Sequence, residues 1–136
     1  MKKGLDTKYF QKFQFGEEQI NKYWKNALKD LEIAKKDSIV DVKFSYSYSA
    51  LLKAGIALLA KKGGMKIRGV PGHHIKLLEK FSEFLGNPQI EIIGNAMRAK
   101  RNTDLYGGGI NITEKEAQDF LTFVMNIIEK TKKEIF

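Results

Sequence analysis

The run Met97-Arg98-Ala99-Lys100-Arg101-Asn102-Thr103-Asp104-Leu105-Tyr106-Gly107-Gly108 gathers the densest candidate chemistry in the chain. Arg98 and Arg101 are three apart and Asn102 is four from Arg98, so on a helix these side chains share a face. Two planar guanidinium groups beside an amide suit a phosphate or a ribose. Lys100 supplies a third cation in the same turn. A plainer role stays open beside the binding one: cations at a helix C-terminus satisfy its last carbonyls.

His73 and His74 are the only histidines. Adjacent side chains on a helix point about 100° apart, and no acidic or histidine partner sits at ligand spacing, so no metal site is expected. Following Pro71-Gly72, they open a helix, where they cap it or pack inward; alternatively one of them serves as an acid or base. Tyr23, Trp24, Tyr46 and Tyr48 can stack on bases, with core packing or a dimer surface as the plainer role. Gly107-Gly108-Gly109 lacks the Lys-Ser/Thr of a phosphate loop. The last helix shows no carboxylate pairing suited to glycoside hydrolysis. The chain has no cysteine, which excludes disulfides, cysteine metal sites and thiol catalysis. No cofactor is expected.

These residues need a scaffold, and helical periodicity supplies one. Ile20, Trp24, Ala27, Leu31 and Ala34 repeat at spacings of four and three, with Lys22, Lys25, Lys29 and Asp30 largely off that face. Val40 to Tyr48 alternates like a strand, yet Phe44, Tyr48, Leu51, Gly55 and Leu58 form a helical stripe. One helix over about 38–62 is expected, ended by Gly63-Gly64. Gly55 inside it suggests the close approach of another helix. A third helix runs over about 73–85, burying Leu77, Leu78, Phe81, Phe84 and Leu85. Gly86-Asn87-Pro88 closes it and starts a fourth, which carries Ile90, Ile93, Ala96 and Met97 inward and ends near Leu105. Thr113 and Glu116 form a capping box for the last helix, whose inner face is Ala117, Phe120, Leu121, Val124, Ile127 and Ile128. Residues 1–16 show no clear period and form an N-terminal arm; residues 17–136 form a single domain. The fold class is all-α, an antiparallel four- to five-helix bundle.

The formal charge is +8 over 136 residues. From Val42 to Leu78 there is no acidic residue, while Lys43, Lys53, Lys61, Lys62, Lys66, Arg68 and Lys76 all fall there. Such a region suits RNA, DNA or an acidic protein surface, or else a solvated lysine-rich face. The amino terminus has no apolar run behind its basic residues, and no stretch approaches a membrane span. A cytoplasmic protein without membrane contact is expected. Asn111-Ile112-Thr113 matches a glycosylation sequon, which has no meaning without secretion.

The fourth helix, ending in Arg98-x-Lys100-Arg101-Asn102-x-x-x-Tyr106-Gly107, resembles the signature of the HEPN superfamily. The likeness extends to Gly72-His73-His74 at a helix start and to Tyr46, Ala50 and Ala54 on the second helix, covering about 22–128. It implies a four- to five-helix bundle, often a homodimer. It also implies metal-independent ribonuclease activity, a role in toxin–antitoxin pairs, or partnership with a minimal nucleotidyltransferase. The family motif is Arg, a polar residue, a gap, then His, lining a cleft shared by two protomers. Arg101 and Asn102 match its first half. Its histidine position falls on Tyr106, or on Gly107 or Gly108 with a longer gap. RNA cleavage by the 2′-hydroxyl needs a base and an acid near neutral pH, and an ordinary tyrosine is a poor base. The likeness therefore implies an RNA-facing fold more firmly than a nuclease.

Three functions compete. The first is an RNA-binding protein, toxin-like or a degenerate metal-independent endoribonuclease. Arg101, Asn102 and Tyr106 form its centre, with Arg98, Lys100, Lys61, Lys62, Lys66 and Arg68 on RNA and His73 or His74 in support. The second is a catalytically silent bundle that docks on a nucleotidyltransferase, an antitoxin or another effector. The third is a small-molecule or nucleotide binder at the Arg98–Tyr106 corner.

Overall fold

A computed structural model describes residues 6–106 and 112–136, excluding the side chains of residues 102–106. Five α-helices and one small sheet make up the described chain, so the fold is an all-α bundle. Strand β1 (Phe10–Lys12) precedes helix α1 (Glu17–Lys36), which is followed by α2 (Val40–Leu58). A π-helical turn (Leu59–Gly63) leads to strand β2 (Met65–Ile67). Helices α3 (His73–Leu85), α4 (Pro88–Tyr106) and α5 (Glu114–Ile135) complete the chain.

Local chemistry sets the helix ends. Glu17 and Glu18 lie in the first turn of α1 and Lys35 and Lys36 in its last, complementing the helix dipole. Gly64, Gly72 and Gly86 adopt positive φ at the junctions around α2 and α3. The Asn87 carboxamide accepts from the Gln89 N–H at the head of α4. Thr113 and Glu116 form a reciprocal capping box on α5.

Contact order along the helices gives their directions. Asp30 meets Ser49 and Lys53, while Lys43 reaches the Ala34 carbonyl, so α1 and α2 are antiparallel. Gly55 lies under Phe81 and Gly63 under Phe84, following the Tyr48–His74 contact; α2 and α3 therefore run in the same direction. The chain returns through β2 between them. Ser82 meets Glu91 and Gly94 meets Leu78, so α4 runs back along α3. Lys100 meets Glu116 at the head of α5, and α5 runs along α2, with Phe120 against Phe44 and Glu134 near Lys62. Tyr48, Leu51, Leu58, Phe44, Phe81 and Phe120 are all buried in the resulting core.

Four expectations change. Within the N-terminal arm, β1 pairs antiparallel with β2 in the register Phe10↔Ile67, and Phe10 is fully buried. The second helix loses its regular α-form at Leu59 rather than at Lys62 and finishes in the π-turn. Ala96 is exposed, because Gly94 is the small residue that α4 presses against Leu78. Asp30 is buried rather than off the apolar face. Its carboxylate accepts from Ser49 Oγ at 2.6 Å and pairs with Lys53 Nζ at 2.8 Å, which satisfies the charge.

Candidate functional site

The parallel course of α2 and α3 brings the start of α3 beside the middle of α2 and the end of α4. Tyr48, from α2, forms the floor. It is 2 % exposed, and its hydroxyl has no hydrogen-bond partner among the described residues. The Arg101 guanidinium carbon stands 5.8 Å from the Tyr48 ring centroid, within cation–π range. The His74 ring packs edge-on to Tyr48 at 6.0 Å and against His73 at 4.3 Å. Arg98 lies one turn before Arg101, with its Nε 3.4 Å from the Asn95 carboxamide oxygen.

The electrostatics follow from this crowding. Burial lowers the pKa of His74, and the positive fields of His73, Arg101 and Arg98 lower it further. His74 is thus a neutral imidazole near pH 7. Burial pushes the Tyr48 phenol up to about 12, against the opposite pull of Arg98 and Arg101, so it stays protonated and can donate a hydrogen bond. His73 Nδ1 lies 2.8 Å from the Val70 carbonyl. A carbonyl only accepts, so Nδ1 carries a proton.

The corner thus holds two guanidiniums, a neutral imidazole and an unpartnered phenol. Cations supply charge for an anion, and the imidazole can take a proton. Arg98, Arg101, His73 and His74, which the sequence singled out separately, come together here. Among the described residues, no group of three or more His, Asp or Glu side chains is placed to hold a metal ion.

Other candidates lie elsewhere. Lys100 donates to Glu116 Oε2 at 2.7 Å. That bond, with the Thr113 N–H, holds the Glu116 carboxyl below the usual range. Lys100 is therefore a tie between α4 and α5. Lys62 pairs with Glu134 at 2.9 Å, and Lys61 borders a hollow with Ile20 and Phe136. Both sit at the opposite end of the bundle, because α2 carries them away from the start of α3. Lys66 and Arg68 belong to the β1–β2 ribbon. The side chains of Asn102 and Tyr106, the triple glycine and Asn111 of the sequon lie outside the described residues.

Sequence reasoning undervalued Tyr48 and missed Tyr9. The four-residue steps Phe44, Tyr48 and Leu52 identify Tyr48 as an inward residue, yet nothing in that spacing shows its ring lying beneath Arg101 of another helix. Trp24 is core, as its plainer role requires, and Tyr46 stands at the surface. No family model, curated protein or solved structure matches the chain. No helix among the described residues is long and apolar enough to cross a membrane.

Proposed function

We propose that the protein is a HEPN-like RNA-binding protein that holds a phosphodiester at the Arg98–Arg101–His74–Tyr48 corner. The observation that carries this is the Arg101 guanidinium over the Tyr48 ring, with Arg98 one turn before it and the His74 imidazole edge-on to the same ring. A phosphate answers both guanidiniums by charge and by paired N–H donors. The ribose 2′-hydroxyl gives the imidazole a donor, which favours RNA over DNA.

A second activity follows from the neutral state of His74. The Arg-polar motif on α4 lacks its own following histidine, and α3 supplies one to the same corner. With the phosphate on Arg98 and Arg101, His74 can accept the 2′-hydroxyl proton as the 2′-oxygen attacks phosphorus. The 5′-oxygen then leaves and takes a proton from solvent, and the products are a 2′,3′-cyclic phosphate and a 5′-hydroxyl end. The chemistry requires no metal.

The test is incubation of the protein with cellular RNA in chelator, alongside Arg101→Ala and His74→Gln, with binding measured in parallel at fixed salt. Binding lost in Arg101→Ala, and cleavage lost in both variants, is the expected result. RNA binding unchanged in Arg101→Ala counts against the corner and leaves the bundle as a protein-docking module. Binding without cleavage removes the nuclease activity alone.

A further inference from the structure

We propose that the β1–β2 ribbon is a track for single-stranded RNA leading away from the Arg98–Arg101 corner, an inference that rests on that corner being an RNA site. The ribbon lies along α3: Lys76 Nζ stands 5.5 Å from the Tyr9 ring centroid and Lys80 Nζ 5.5 Å from that of Phe10. Its upper end meets the corner. The Tyr9 hydroxyl is 3.8 Å from the place a Cβ would take on Gly72, the residue before His73. Arg68 locks that end, its N–H donating to the Tyr9 carbonyl and its Nε to the Thr7 carbonyl.

Charge on the ribbon is uncommitted. Lys76 and Lys80 of α3 face Glu79 and Glu83. Lys8, Lys12, Lys66 and Arg68 enter no ion pair among the described residues, although eight other pairs form there. Aromatic rings interleave with these cations. Lys8 Nζ lies 5.2 Å from the Tyr9 centroid and Lys66 Nζ 4.6 Å from that of Phe13, which is 39 % exposed. Alternating cations and accessible rings suit a strand whose phosphates draw the lysines and whose unstacked bases take the ring faces. An acidic polypeptide would use the cations and leave the rings without partners. A duplex would keep its bases stacked on one another.

The experiment compares a trinucleotide and a dodecanucleotide of uridylate, titrated across a salt series against the wild type, Lys12→Gln/Lys66→Gln, Phe13→Ala and Arg101→Ala. Circular dichroism checks that each variant retains its helices. The double lysine variant should bind the dodecanucleotide about tenfold more weakly, with a salt slope shallower by roughly 1.4, from about 0.7 for each single-strand phosphate contact. Its affinity for the trinucleotide should change by less than about twofold. Phe13→Ala should weaken the dodecanucleotide without changing the slope, whereas Arg101→Ala should weaken both ligands. Wild-type binding of both oligonucleotides, unaffected by the lysine and Phe13 changes, overturns the track and leaves the corner standing. Failure of both to bind the wild type overturns the corner and the track together. Displacement of the dodecanucleotide by polyglutamate as readily as by polyuridylate, at equal charge, overturns RNA as the ribbon's partner.

Discussion

At the corner, two individual side chains hold stability down. The buried Tyr48 hydroxyl lacks a partner, and an unsatisfied buried polar group destabilises by about 1–3 kcal/mol. Tyr48→Phe should therefore melt at a higher temperature than the wild type, which calorimetry checks. Equal or lower stability would mean that the hydroxyl is satisfied in solution. His74 sets a pH dependence of definite sign. Its folded pKa lies below its ordinary value of 6.5, so the unfolded chain binds the proton more readily. Its effect on stability is absent above about 6.5, and stability falls as pH drops below that value toward the folded pKa. Urea midpoints should decline on acidification through this window, and His74→Gln should flatten the decline. A profile identical in the variant would remove His74 as its source.

Among the elements, close helix crossing at glycine decides the architecture. A Cβ on Gly55 would lie 2.8 Å from Phe81 Cδ2, and the Phe81 ring is fully buried and has nowhere to go. Alanine normally favours a helix by about 1 kcal/mol over glycine, yet overpacking costs about 1–3 kcal/mol. Gly55→Ala should lower stability on balance, measured by denaturant unfolding, and an increase would show that α2 and α3 separate easily. The glycine's role was legible in the sequence, as were the bounds of α1 and α3, because long apolar periods leave little freedom. The ribbon was not legible. Strands of three residues carry too little pattern, and the Phe10–Ile67 pairing joins segments far apart in the chain. The candidate site shares that fate. Arg98 and Arg101 stand out by local spacing, whereas His74 reaches them only because the chain returns through β2 and makes α3 parallel to α2. Lys61 and Lys62 show the same limit, since a basic stretch along the chain is divided between two ends of the bundle.

For the molecule as a whole, the +8 charge links folding and binding through salt. Excess positive charge repels itself in the compact state, and cations outside the ion pairs of the described residues lie on α1 and α5 as well as on the ribbon and at the corner. The ion pairs that salt also screens are mostly at the surface and contribute little. Between about 0.01 M and 0.15 M salt the screening length falls from about 30 Å to about 8 Å, which removes most of the long-range repulsion. The melting temperature of the free protein should therefore rise over this range by a few degrees, corresponding to about 1 kcal/mol. RNA affinity should fall over the same range, because each phosphate neutralised releases counterions. Bound RNA should consequently raise the melting temperature most at low salt, where the free protein is weakest and the complex tightest. Melting scans with and without polyuridylate at several salt concentrations measure both trends. A free protein that loses stability as salt rises would show that its ion pairs outweigh the repulsion.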